Sequence, residues 1–208
     1  MAIYPLPRAL TIPAITLAAA SLIAWAQSWE SIKTAAREVR SVRADFTQEK
    51  HMKILARPLV SRGRFIYRSP GSLRWEYLSP VRSVLLMHEG GVRRFVKGQH
   101  GFTEDSGARL EAMRIVVEQI ARWLHGDFEA HPDFSARLLP GKPSRIILTP
   151  KEQGLASIIR RIELRLSVKP GVIDSVTIEE GRDSRTVLRF TGARLNEAIP
   201  DRTFREIE

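Results

Sequence analysis

From Ser28 to Arg40 the apolar positions Trp29, Ile32, Ala36 and Val39 recur at helical spacing, which predicts a short amphipathic helix. Beyond Arg40 the period changes to two. Arg43–His51 alternates moderately, and Leu59–Arg68 sets Gly63, Phe65 and Tyr67 against Arg62, Arg64, Ile66 and Arg68. Leu73-Arg74-Trp75-Glu76-Tyr77 alternates cleanly, and Val92–Val96 does so more weakly. The run Val84-Leu85-Leu86-Met87 is apolar throughout, as in a strand buried on both faces. Ser69-Pro70-Gly71, Ser79-Pro80, Glu89-Gly90-Gly91 and Gly98-Gln99-His100-Gly101 separate these runs with turn chemistry, which predicts sequential antiparallel hairpins.

Glu111 to His125 interrupts the strands. Met113, Val116, Val117, Ile120 and Leu124, with Trp123 adjacent, form one apolar helical face, and Gly126 follows as a stop. Strands are then expected over Phe128–Leu139, Arg145–Thr149, Ile158–Val168, Val172–Glu180 and Arg185–Ala193. Pro140-Gly141-Lys142-Pro143 and Lys169-Pro170-Gly171 mark two of the breaks. On one strand Ile162, Leu164 and Leu166 share a face opposite Arg161, Glu163 and Arg165; on another, Leu188 and Phe190 lie opposite Arg189. A sheet of roughly ten or eleven strands accumulates twist and must curl. The expected fold is mainly β with added helices (α+β), one strongly curved antiparallel sheet whose apolar face turns inward. A barrel of that size encloses space that side chains do not readily fill, so the interior holds either packed core or a ligand cavity.

The first 26 residues stand apart from this pattern. Arg8 is their single basic residue, Ala9 to Ala26 is apolar apart from Thr11, Thr16 and Ser21, and the stretch closes on Ala24-Trp25-Ala26. This is the form of a cleaved secretory signal peptide, so residues 1–26 are expected to be removed and residues 27–208 to form one domain. Pro13 and the scarcity of large hydrophobes argue against a permanent membrane anchor. With no cysteine, the chain has no thiol chemistry, no disulfide and no lipidation site. The predicted location is therefore free in the periplasm.

The formal charge is +10. It is spread along alternating strand positions with no helix-turn-helix or RNA-binding signature, so nucleic acid is not the expected partner. Anionic lipid surfaces, phosphate-bearing headgroups or an acidic protein fit it better.

Four segments carry a resemblance. Ser41-Val42-Arg43-Ala44-Asp45-Phe46-Thr47-Gln48 after an N-terminal helix resembles the opening of the LolA family, periplasmic carriers of outer-membrane lipoproteins. Gly63 to Trp75 is similar to that family's glycine-bearing strand, basic-proline turn and aromatic strand. Leu148-Thr149-Pro150-Lys151 and Asp201-Arg202-Thr203-Phe204 resemble two later elements. The resemblance implies an unclosed antiparallel β-barrel of about 11 strands with a helical lid over a hydrophobic cavity. It implies a monomer, without cofactor, that takes acyl chains of lipoproteins or (glyco)lipids from an inner-membrane exporter to an outer-membrane receptor. By position, Leu73 and Trp75 fall where the family lines its cavity. Alternation adds Phe65, Tyr67, Ile162, Leu164, Leu166, Leu188 and Phe190, and the lid helix adds Val116, Ile120 and Trp123.

The chain departs from the family at the lid latch. An arginine directly before the turn proline helps hold the family's lid; here Ser69 occupies that place and Arg68, one residue earlier, is the latch candidate. A one-residue shift on a strand turns a side chain to the opposite face. Little sequence follows Phe204, whereas a typical member continues, so a paralogue with a different lipid cargo is expected. A lipid-sensing or regulatory domain acting through a partner protein is the alternative.

Catalytic and metal chemistry find little support. His51, His88, His100, His125 and His131 form no HExxH pair and are read as solvated or capping residues. Glu179 and Glu180 are adjacent on a strand and point apart. No Gly-x-Ser-x-Gly, P-loop or GxGxxG occurs. The chain is expected not to be an enzyme.

Overall fold

The structure is a computed structural model and describes residues 28–106, 110, 120–128, 132–181 and 183–207. The signal peptide and Val116 therefore lie outside the described residues. Helix α1 (Trp29–Arg37) opens on a reciprocal cap, in which Ser28 Oγ accepts from Ser31 N and Ser31 Oγ accepts from Ser28 N. It buries Ile32 and Ala36.

Eleven strands follow: β1 (Ser41–His51), β2 (Leu59–Arg68), β3 (Ser72–Ser79), β4 (Ser83–His88), β5 (Gly91–Gly98), β6 (Gly101–Asp105), β7 (Phe134–Leu139), β8 (Arg145–Pro150), β9 (Ile159–Leu166), β10 (Ile173–Glu180) and β11 (Ser184–Leu195). They form one antiparallel sheet in the order β6-β5-β4-β3-β2-β1-β11-β10-β9-β8-β7. Two meanders, β1 to β6 and β7 to β11, are thus joined along a single seam where β1 pairs with β11, from Val42 opposite Leu195 to His51 opposite Arg185. The sheet is not closed, since β6 and β7 are its two edges. Between those edges in sequence lie helical residues 120–124, whose Ile120, Trp123 and Leu124 stand over the concave face.

Several boundaries differ from the sequence reading. The strand expected from Phe128 begins only at Phe134. Pro132 has no N–H to give a ladder and stands between them. Phe128 is buried instead and packs its ring 6.1 Å from that of Trp29. A short helix, α2 (Gln153–Ile158), precedes β9 where no helix was expected.

The interior divides in two. One buried cluster joins Val39, Val42, Phe46, Phe65, Tyr67, Leu73, Leu85, Met87, Ala121 and Leu188. The other joins Ile32, Trp123, Phe128, Phe134, Ile146, Leu148, Ile162, Leu164 and Leu166. Ile120 and Val176 pack against both.

The convex face is partly covered as well. After Asn196 the chain runs back over it and ends in a 3-10 turn, Asp201–Phe204, burying Phe204 with Ile66 and Ile199. Asn196 fixes where that segment begins: its Oδ1 accepts from Arg40 N at 2.7 Å and its Nδ2 donates to Glu38 O at 3.1 Å. The backbone of Asn196 has φ +60, a left-handed value that asparagine tolerates. Val84 and Leu86 are buried on the same convex side with Phe95, while Leu85 and Met87 face the interior cluster, which is the two-faced burial expected of β4.

Candidate functional site

Period-two alternation sends Phe46, Phe65, Trp75, Tyr77 and Phe190 to the concave face from four neighbouring strands. Their rings meet: Phe46 lies 5.1 Å from Trp75 and 5.2 Å from Tyr77, and Phe65 lies 5.5 Å from Trp75 and 5.9 Å from Phe190, mostly tilted or edge-on. Gly63 permits this. A Cβ there would sit 2.5 Å from Phe46 Cζ and 2.0 Å from Glu76 O.

Above this aromatic floor, between the two buried clusters, is a cavity of about 510 Å³. Its walls are almost wholly apolar, with Ala44, Leu85, Ile173, Val176 and Ile178 contributing from the sheet and Leu155 from α2. Ile120, Trp123 and Leu124 cover it from the connection between the sheet edges. The volume falls within the range of about 300–1,000 Å³ typical of small-molecule sites.

One end of the cavity is polar. Tyr77 Oη donates to Gln48 Oε1 at 2.9 Å, Thr186 Oγ1 donates to Glu180 Oε1 at 2.8 Å, and Lys50 Nζ lies 3.1 Å from Glu180. Burial raises the Tyr77 phenol above its ordinary value, so it remains a neutral donor. Glu179 faces the other way and pairs with Arg161 at 2.5 Å, as expected for adjacent strand residues.

Of the residues singled out from sequence, Phe65, Trp75, Ile162, Leu188, Phe190, Ile120 and Trp123 line this cavity. Tyr67, Leu73, Leu164 and Leu166 share the inward parity but do not reach its wall. Tyr67, Leu73 and Leu164 are fully buried and Leu166 nearly so, packed with Val39 beyond the end of α1, Ala121 and Met87 in one cluster and with Ile32 of α1 in the other. Alternation gives the face of a strand but not which stretch of that face another element covers.

Arg68 is not placed to latch a lid. It projects from the convex face, where Nη1 donates to Ile199 O at 2.9 Å, Nη2 lies 2.6 Å from Asp201 Oδ1, and the guanidinium sits 5.0 Å over the Phe204 ring. Tyr67 already occupies the inward direction, so residue 68 must point outward. The contact to the covering segment comes from His125, which had been read as solvated or capping. Its Nε2 is 2.9 Å from Tyr67 Oη and 2.9 Å from Pro70 O, which links residues 120–126 to the β2–β3 turn. The only signal in the sequence was position: His125 directly precedes the helix-stopping Gly126, whose φ is +80.

A second groove, of about 600 Å³, lies on the convex face between the sheet and the C-terminal segment. Arg43, Arg64, Arg194 and Arg202 line it together with Asp45 and Glu206. Its charged walls make it a poor site for a hydrocarbon chain. Among the described residues no group of three or more His, Cys, Asp or Glu is arranged to hold a metal. No described helix is long and apolar enough to cross a membrane.

The family model described as outer membrane lipoprotein carrier protein LolA matches residues 37–206. No curated protein matches the chain in sequence. Among solved structures it is similar to a LolA superfamily protein from Nitrosomonas europaea, at 13% identity over 86% of this chain and 97% of that one, with a TM-score of 0.41. It is also similar to the Mycobacterium tuberculosis lipoprotein LppX, at 13% identity over 82% of this chain and 94% of that one, with a TM-score of 0.44. MucB in the Pseudomonas aeruginosa MucA/MucB complex aligns at 15% identity over 85% of this chain, which spans 59% of that one, with a TM-score of 0.48. The family match alone runs from the end of α1 through all eleven strands to the C-terminal segment, and on it the chain belongs to the LolA family.

Proposed function

We propose that this protein is a periplasmic carrier that shelters acyl chains of lipoproteins or (glyco)lipids in the cavity and passes them from an inner-membrane exporter to an outer-membrane receptor. The observation that carries this reading is the apolar cavity of about 510 Å³ lying between two separately packed clusters. Its predicted acyl contacts are Phe65, Trp75, Ile162, Leu188 and Phe190 on the sheet and Ile120 and Trp123 on the cover. Tyr67, Leu73, Leu164 and Leu166 hold the walls in place.

Physical chemistry supplies the need. Each methylene removed from water is worth about 0.8 kcal/mol, so a 16-carbon chain costs on the order of 12 kcal/mol to expose. A free chain does not cross an aqueous gap at a useful rate against that cost. The carrier must also release its load, so complete enclosure would defeat it. Residues 120–124 form a cover that packs Ala121 into one cluster and Trp123 into the other, so parting it opens the space between them.

The test is saturable binding of a fluorescent fatty acid to the purified protein, with native mass spectrometry of protein taken from its own envelope. Phe190→Glu and Ile178→Glu put a charge on half-buried cavity walls. Each is expected to weaken probe binding at least tenfold while the protein stays folded at the assay temperature, as read by circular dichroism. Equal binding by wild type and both variants, or no binding by wild type, would refute the carrier reading.

A further inference from the structure

The β1–β2 connection is unusual in composition for a surface turn. Leu55 N donates to Met52 O at 2.9 Å, closing a turn over Met52-Lys53-Ile54-Leu55. Turn tips favour Gly, Asn, Asp, Pro and Ser, yet Ile54 is 87% exposed and Leu55 is also exposed. The first two residues of β2, Leu59 and Val60, are 54% and 43% exposed although they point to opposite faces. The hairpin end is therefore bare on both sides. Val81, in the β3–β4 turn, is 58% exposed, and β3 reaches the same end of the sheet through the pairing of Ser79 with Arg62. Single exposed hydrophobes need no explanation, but five gathered at one end of a sheet do.

Cations surround them. Lys53 and Arg57 lie in the loop itself, Arg62 follows on β2 and Arg185 stands opposite His51 on β11. Lys53 lies 3.5 Å from Asp183, while Arg57, Arg62 and Arg185 have no ion pair among the described residues. The same end of the sheet holds the polar end of the cavity, since Lys50 pairs with Leu59 on one side and reaches Glu180 on the other.

We propose that the β1–β2 loop is a membrane-docking prong, which inserts Ile54 and Leu55 into the headgroup region of a bilayer containing anionic lipid while Arg57, Arg62 and Arg185 contact the lipid phosphates. Apolar side chains projecting between unpaired cations are what an anionic interface binds, whereas an acidic protein would use the cations and leave Ile54 in water. Docking in this orientation presents the polar end of the cavity to the bilayer. That gives the carrier reading a route for loading or unloading, although docking itself does not depend on it.

Sedimentation of the purified protein with vesicles of phosphatidylethanolamine and phosphatidylglycerol, against vesicles of phosphatidylcholine alone, tests the proposal. The anionic vesicles are expected to carry the protein down in a salt-sensitive manner. Ile54→Ser combined with Leu55→Ser should weaken partitioning by about tenfold, and Arg57→Glu should lower it several-fold with a shallower salt dependence. Val168, 91% exposed in the turn after β9 at the other end of the sheet, is the control, and Val168→Ser should bind as wild type does. The proposal is overturned if wild type ignores anionic vesicles, if the double variant binds equally well, or if Val168→Ser loses as much. A double variant that sheds vesicles but keeps the fluorescent fatty acid supports it. Wild type that docks on vesicles but takes up no fatty acid refutes the carrier reading and leaves the docking prong standing.

Discussion

At the scale of single residues, the site depends on a position that carries no side chain. Gly63 is required by its neighbours, because a methyl group there would lie 2.0 Å from Glu76 O on β3 and 2.5 Å from the Phe46 ring. Backbone cannot give way cheaply, so the strand pair or the aromatic floor must shift. Gly63→Ala is expected to destabilise the fold by about 1–3 kcal/mol, read as a lower denaturant midpoint in urea. A midpoint at or above that of wild type would show that Phe46 has room to move. Gly63 and Phe46 were both visible in the sequence, one as part of an alternating strand and the other within the Phe-Thr-Gln block. Their contact was not, since it depends on β1 and β2 being in the register that sets Phe46 opposite Gly63.

The elements were more legible than the contacts between them. Apolar patterning located ten of the strands and gave the inward faces of β2, β3, β9 and β11; β6, only five residues after a glycine turn, was recognisable only as part of an overall strand count. The cover was legible as an amphipathic face, but its attachment was not. An arginine-based expectation led to Arg68, and parity sends Arg68 to the convex side, leaving His125 to make the concave contact. His125→Ala removes the one Nε2 contact shared between Tyr67 Oη and Pro70 O, worth about 1 kcal/mol net. Release of the fluorescent fatty acid should quicken by about five- to tenfold, with faster amide exchange across residues 120–126. Unaltered release and exchange would mean that the apolar contacts of Ile120 and Trp123 alone hold the cover.

The C-terminal segment makes its own prediction. The hydrogen bond from Arg68, and then its charge, holds the Asp201 carboxyl below its ordinary value of 3.8. A lowered carboxylate pKa contributes stability that is present above 3.8 and is lost as pH falls through the folded-state value. Acidification below that point should therefore loosen the segment before the sheet itself. Ring resonances of Phe204, 1% exposed over Ile66, should report it. Asp201→Asn should abolish that acid-dependent step; an unchanged step would place its origin elsewhere.

At the scale of the whole molecule, the sequence pattern was sufficient for a curved sheet of about the right strand number, and insufficient for the cavity. Binary patterning assigns a residue to the inner face; it cannot state whether the facing element arrives. Here α1 meets the sheet over Leu164 and Leu166, and the cover meets it over Tyr67, so those stretches are solid. The stretch between, from Phe65 and Trp75 across Leu188 and Phe190 to Ile162, is where the cover stands over the sheet without packing down onto it, and that is where the space is.

The seam between β1 and β11 has a consequence for how the chain reaches this form. Each meander can zip from neighbour to neighbour, but residues 41–51 must wait for residues 184–195 before the two are one sheet. Among the eleven strands, the first in sequence is paired on that side by the last. Until then two half-sheets exist with exposed edges, and neither encloses anything. Assembly should accordingly be slow for a chain of this size, as non-local pairing generally is, and the cavity between the two clusters should form only in its final step.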